Sequence, residues 1–370
     1  MGRHGRAAKT GVAFMIPVNT PLLAGNEQQY LSECIETGWI SSEGPFVQRF
    51  EESFAASTGR RFAVACSSGS GALDIAVAAA NLKSGDEVIM PAFTIISPAA
   101  SVVRAGAVPV LIDSDPVTWN MDVSRIEEKI SDRTRAILVV HIYGLPVDLG
   151  PVLEIAERYN LMVIEDAAEM HGQTYRDRPC GSFGAMSTFS FYANKHVTCG
   201  EGGMVVTDDD AVAEHCRRLR NLCFEPRRRF VHDELGWNYR ITNLQAAVGL
   251  AQLEQLPQHI KRKREIGRRY SRQLAGLNGI RLPCESTDFA DNIYWVYGLV
   301  CEDDARHPAQ TLMKRLSEQQ IGTRPFFCPM HEQPVFRRMN LFQGDRHPHA
   351  EDLGRRGEVE AGREGCAHRQ

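Results

Sequence analysis

From about residue 61 the chain alternates short apolar runs with stretches of helical periodicity. Residues 62–66, 87–90, 108–112, 136–140 and 161–165 read as strands. Residues 73–82, 95–104, 124–130 and 151–159 read as the helices between them. Strands at that spacing with helices between them predict an α/β fold, a mostly parallel sheet covered on both faces. Ligands of such sheets bind beyond the carboxyl ends of the strands. A long helical pattern over 244–274, a strand-like run over 294–300 and a helix over 308–319 predict a smaller α+β domain. The expected organisation is a flexible extension over 1–15, a large domain over 16–255 and a small C-terminal domain over 256–342. The last stretch, 343–370, has no aromatic, six apolar and eleven charged residues. Too little of it can be buried to offset its ordering entropy, so it is expected to be disordered or truncated.

Composition narrows the function classes. The 370 residues are 43% hydrophobic and 24% charged, an ordinary globular balance. A net charge of −4 argues against a nucleic-acid partner. The basic run Lys261-Arg-Lys-Arg264, with Arg268 and Arg269, therefore reads as a solvated helix face. No apolar run approaches the ~20 residues of a membrane span, and Met1 to Thr10 is basic with no long apolar segment after it. The ten cysteines form no C-x-x-C pair, which predicts reduced thiols in a cytoplasmic protein and no metal.

The chemistry concentrates around Lys195, between the apolar run 188–192 and the glycine-rich turn Gly200-Glu-Gly-Gly203. Partial burial there would lower the amine's pKa and make it a usable nucleophile. Upstream, the apolar strand Val163-Ile164-Glu165-Asp166 ends in carboxylates. A Schiff-base lysine with a strand-end aspartate for a pyridinium nitrogen is what pyridoxal 5'-phosphate chemistry requires. Ser68, Gly69 and Ser70 stand between a strand and a helix, where free N–H groups attract phosphate; a plain helix cap is the other reading. Asp166 and Glu169 have the same two readings, cofactor contact or cap. Ser190 could donate to a phosphate. His196 could be a second base or a structural histidine, and His141, at another strand end, is open in the same way.

These residues sit in motifs that resemble the DegT/DnrJ/EryC1/StrS sugar-nucleotide aminotransferases, within the fold type I pyridoxal phosphate enzymes. The motifs are Gly38-Trp-Ile-Ser41, Ser68-Gly-Ser70, Pro91-Ala-Phe-Thr94, His141-Ile-Tyr-Gly144, Glu165-Asp-Ala-Ala-Glu169, Ser190-Phe-Tyr-Ala-Asn-Lys195, Gly200-Glu-Gly-Gly203 and Gly236-Trp-Asn-Tyr-Arg240. The resemblance implies that Lys195 binds the cofactor covalently and then moves protons, and that Asp166 holds the ring nitrogen. It implies that Ser190, Gly69 and Ser70 hold the phosphate and that Glu169 faces the cofactor oxygen. Asn238 would reach the phosphate of a neighbouring subunit in a homodimer with shared sites. Gly322-Thr-Arg-Pro-Phe-Phe327 and Met330-His-Glu-Gln-Pro334 are similar to the perosamine-forming branch, which aminates GDP-4-dehydro-6-deoxymannose with L-glutamate for O-antigen and related glycans. Arg324 and His331 would then touch the nucleotide sugar or pack their loop. UDP- or dTDP-linked keto sugars, and a non-catalytic cofactor-binding homologue, are the alternatives. A lysine at 195 argues against the dehydratase relatives, which carry histidine there. The chain departs from the family at Ile95, where an aromatic usually stacks on the cofactor ring, leaving Ile95 or Phe93 for that contact. It also departs at Gly184-Ala185 and in the tail.

Overall fold

The computed structural model describes residues 15–225, 228, 230–302 and 308–360. Two helices open the chain, α1 (Glu27–Thr37) and α2 (Pro45–Thr58). The alternating region follows as β1 (Phe62–Cys66), α3 (Gly69–Ala79), β2 (Glu87–Pro91), α4 (Ser97–Arg104), β3 (Val108–Ile112), β4 (Thr134–Val140), α5 (Leu149–Tyr159) and β5 (Met162–Asp166). A short hairpin, β6 (Thr174–Tyr175) and β7 (Arg178–Pro179), precedes β8 (Met186–Ser190), β9 (Gly203–Thr207) and α6 (Asp210–Arg220). The predicted helix over 124–130 is instead two single 3-10 turns, Val123–Arg125 and Glu127–Lys129.

The central sheet has seven strands in the order β1-β9-β8-β5-β4-β2-β3. The five strands from β8 to β3 pair in parallel, while β9 runs antiparallel to both β1 and β8. The sheet is thus mixed and mostly parallel, as the sequence predicted. Its strands are buried on both faces. Phe50, Phe54, Phe189 and Phe191 pack on one side, and Ile75, Met90 and Phe93 on the other. That double burial explains why the strands read as continuous apolar runs rather than alternating ones.

The periodic stretch over 244–274 is two helices, α7 (Asn243–Glu254) and α8 (Leu256–Leu274), broken at Gln255. Pro257 falls in the first turn of α8, where its missing N–H is no loss. The basic run lies on α8, with Lys261, Arg262, Arg268 and Arg269 exposed, as expected of a solvated face, though Lys263 is buried. Then come β10 (Ile280–Arg281), β11 (Tyr297–Cys301), α9 (Pro308–Glu318), β12 (Arg324–Pro325), α10 (Pro334–Arg338), α11 (Pro348–Arg356) and β13 (Gly357–Glu360). They form a second, four-stranded sheet in the order β10-β11-β13-β12.

The tail corrects the sequence reading. Through residue 360 it is folded, and β13 is an interior strand that joins β11 to β12. It packs with few apolar atoms because its glycines allow close approach. A Cβ on Gly354 would lie 2.7 Å from the Pro329 ring, and one on Gly357 would overlap the Phe326 ring. Ala350 and Leu353 are fully buried, and Asp113 accepts the N–H groups of His349 and Ala350 at the start of α11. Residues 361–370, the extension over 1–14 and Cys366 lie outside the described residues. The nine described cysteines are free thiols, and among the described residues no helix is long and apolar enough to cross a membrane.

Candidate active site

A cleft of about 570 Å³ opens where β5 and β8 end and α3 begins. Ser68, Gly69, Ser70, Ile95, His141, Asp166, Glu169, Ser190, Lys195 and Arg324 all line it. The parallel strands aim their carboxyl ends there, so most of the residues picked from sequence are gathered by topology.

The α3 end is built for an anion. Ser68 caps the helix, its Oγ accepting from Gly71 N at 3.0 Å, and Ser70 Oγ lies 2.8 Å from Ser97 Oγ. Gly69 faces Ser190 so closely that a Cβ on it would stand 2.6 Å from the serine Cβ. A Cβ on Gly203, in β9, would collide with the Ser68 carbonyl. Neither glycine has a positive φ, so both are required by close approach and not by backbone conformation. The result is a tight cradle of small residues at a helix N-terminus, suited to a phosphate.

Beside it lie three buried ionisable groups. Lys195 Nζ is 3.9 Å from Glu169 Oε1, and Tyr143 N donates to Glu169 Oε2 at 2.6 Å. Ala168 N donates to Asp166 Oδ1 at 3.1 Å. Burial pushes the Glu169 carboxyl up to about 8, against the pull of Lys195. Burial also raises the Asp166 carboxyl and lowers the Lys195 amine, while the two carboxylates oppose that lowering. An amine lowered by burial next to two carboxyls is the condition for a nucleophile that also carries protons.

Four of the sequence-picked residues are placed elsewhere. Phe93 is fully buried and packs on Tyr143, Phe326 and Phe327, so its ring is not a cleft wall; Ile95, 46% exposed, is. His331 is buried, with Nε2 3.2 Å from Glu351 Oε1 and its ring against His347. It therefore ties its loop to α11 and does not line the cleft. His196 is buried behind the lysine loop, outside the cleft lining, and its imidazole is held well below its usual value by burial, which fits the structural reading. Asn238 is exposed, bridges Asn221 and also lies outside this cleft.

His141 lines the cleft but is fully hydrogen-bonded. Val147 N donates to its Nδ1 at 3.0 Å, and its Nε2 lies 3.0 Å from Glu165 Oε1. Glu165 also accepts from Gly181 N, Phe183 N and Ser187 Oγ. With Cys180 these two could be taken for metal ligands, but hydrogen bonds already account for their polar atoms. Sequence reasoning missed Trp295, whose ring centroid is 3.7 Å from Lys195 Nζ. It also missed the segment Pro17-Val18-Asn19, another wall of the cleft. Both come from distant parts of the chain, and no local pattern marks them.

Residues 21–357 match the profile of the DegT/DnrJ/EryC1/StrS aminotransferase family. The chain is 42% identical over 342 residues to GDP-perosamine synthase of Escherichia coli O157:H7, covering 92% of each. It is 44% identical over 322 residues to GDP-perosamine synthase of Caulobacter vibrioides, covering 87% of this chain and 86% of that one. Among solved structures it is similar to DesV of S. venezuelae in complex with a ketimine intermediate. There the TM-score is 0.84 at 32% identity, over 91% of this chain and 89% of DesV.

Proposed function

Because this chain belongs to the DegT/DnrJ/EryC1/StrS aminotransferase family, we propose that it moves the amino group of L-glutamate to C4 of GDP-4-dehydro-6-deoxymannose, giving GDP-perosamine. It is a pyridoxal phosphate-dependent aminotransferase. The observation that carries the substrate assignment is the likeness, at 42% and 44% identity over nearly the whole chain, to two GDP-perosamine synthases.

The cleft fits the cofactor: a glycine-tight anion cradle lies at one end and a buried amine with two buried carboxyls at the other. Bound there, pyridoxal phosphate supplies a carbonyl carbon for the amine and a protonated ring that withdraws electrons from the reacting carbon. Gly69, Ser70 and Ser190 would hold the phosphate with the α3 N-terminus. Asp166 would keep a proton on the ring nitrogen, and Glu169 would face the ring oxygen. Lys195 would then carry the proton from one carbon to the next. Burial lowers its amine below the ordinary lysine value, which makes it a readier proton acceptor than an exposed lysine.

Arg324, exposed on β12 at the rim of the cleft, suits a nucleotide diphosphate. Asn238 lies outside the cleft of its own chain, which supports a homodimer whose sites are shared. Exposed Trp39, Ile40 and Tyr192 offer that assembly an apolar surface.

The test is to supply L-glutamate with GDP-4-dehydro-6-deoxymannose, and separately with UDP- and dTDP-linked 4-keto-6-deoxysugars, and to identify the amino sugar by mass spectrometry and NMR. GDP-perosamine with 2-oxoglutarate in equal amount is the expected outcome. A clear preference for a UDP or dTDP acceptor would replace the substrate and leave the reaction class standing.

A further inference from the structure

Two side chains from opposite ends of the chain meet at one carbonyl. Asn194, which precedes the lysine, accepts the Trp295 Nε1–H at 3.0 Å and the Asn19 Nδ2–H at 2.8 Å. The Asn19 side-chain oxygen in turn accepts from Lys263 Nζ at 3.1 Å. These bonds fix the peptide that carries Lys195 and orient the indole beside it. The lysine Nζ lies 3.7 Å from the Trp295 ring centroid. Trp295 is only 8% exposed, so the amine rests on a ring face largely shielded from water. A cation is drawn to an indole face most strongly where water is excluded.

We propose that Trp295 is a positioning residue for Lys195. Its indole face, locked by the hydrogen bond to the Asn194 carbonyl, is the resting place of the lysine ammonium whenever that amine is not joined to the cofactor. The catalytic meaning of this role rests on the aminotransferase reading, but the contact joins two residues of this chain and is testable without that chemistry.

A lysine side chain has four rotatable bonds and no fixed direction of its own. Here the ring face and Glu169 both lie within 4 Å of the ammonium, and Glu169 is its one ion-pair partner among the described residues. Asp166 adds attraction from β5. His171 and His196 lie close by, but burial holds both imidazoles below their usual value and so uncharged. His141 is hydrogen-bonded, and Arg324 and Glu201 stand on the cleft lining with no bond to the amine. Burial disfavours the ammonium, and the indole face opposes burial without adding a second titrating group.

The experiment uses full-length protein without cofactor, as wild type, Trp295→Phe and Trp295→Leu. Trace acetic anhydride competes for lysines across pH 6 to 10, and peptide mass spectrometry compares Lys195 with exposed Lys83. In Trp295→Leu the midpoint for Lys195 should fall, with labelling near neutral pH about three- to tenfold faster. Trp295→Phe, which keeps a weaker ring face, should lie between. Unchanged midpoints in both variants, or midpoints that rise, would overturn the proposal. If the leucine variant does not fold, the phenylalanine variant alone decides by the direction of its shift. No substrate enters the assay, so a protein inactive on GDP sugars would still return a clear answer about Trp295.

Discussion

Glu169 Oε1 lies 3.9 Å from Lys195 Nζ, yet burial keeps its carboxyl up near 8, where half of it is protonated. The sign of the stability effect follows. Between the ordinary carboxyl value of 4.5 and the folded value of about 8, the folded state holds a proton that the unfolded chain has lost. Stability from this group is therefore full below the lower value and declines as pH rises to the upper one. Glu169→Gln does not titrate and can still accept the Tyr143 N–H. In cofactor-free protein, wild type should lose stability relative to Glu169→Gln from pH 5 to pH 8, by roughly 3 kcal/mol or a few degrees in Tm. Lys195 acts in the same direction, because the Glu169 charge helps hold its amine up and the amine falls further in the variant. A wild type that gains on the variant over that range would refute the raised carboxyl.

Lys195→Ala should remove the amine without disturbing the sheet, because the residue sits in the loop after β8. The transamination rate should fall by ~10⁴-fold. The protein should keep its Tm within a few degrees and still bind pyridoxal phosphate non-covalently through the α3 cradle. The check pairs steady-state rates with an absorbance spectrum. A variant that turns over at even a tenth of the wild-type rate would mean that another group moves the proton.

The strands and the residues that line the cleft at the ends of β5 and β8 were legible because each is a local pattern. A strand-end carboxylate such as Asp166 and a glycine–serine turn before a helix declare themselves within a few positions. Trp295 was not legible, since its role depends on a ring reaching a lysine one hundred residues away in sequence. Phe93 was misread for a related reason. Its position beside Thr94 is local, but the direction of its ring is set by Phe326 and Phe327, which follow β12. His331 takes the second of its two readings and packs its loop, its imidazole claimed by Glu351 of α11. The tail defeated a composition argument because glycines, backbone pairing and a capping Asp113 can fold a segment that has little apolar bulk.

Gly69→Ala puts a methyl group 2.6 Å from the Ser190 Cβ, and no left-handed φ adds backbone strain to it. The two walls of the anion cradle would have to part. Affinity for pyridoxal phosphate should fall by about tenfold or more, whereas loss of global stability should stay within the ~1–3 kcal/mol of an overpacked site. Titration of cofactor-free protein with pyridoxal phosphate, followed by absorbance, gives the constant, and thermal unfolding gives the stability. Unaltered affinity would place the phosphate away from Gly69.

Gly357 links the tail to Glu169. It opens β13, pairs with Val300 of β11, and accepts the Phe326 N–H at 3.1 Å. The Phe326 ring fills the slot left by the missing side chains of Gly357 and Gly298. That ring packs 4.8 Å from the Tyr143 ring centroid, and the Tyr143 N–H holds Glu169. The next strand pair, Arg324 with Val359, sets Arg324 at the rim of the cleft. A side chain at 357 must therefore expel Phe326 or split β13 from its neighbours. Gly357→Val should cost ~3 kcal/mol or more, at the upper end of overpacking. The milder Gly357→Ala should fold, with a KM for the nucleotide sugar raised more than that for glutamate, because Arg324 moves with β13. The two KM values and the thermal midpoint are the measurements. If both variants behave as wild type, the tail strand does not support the cleft.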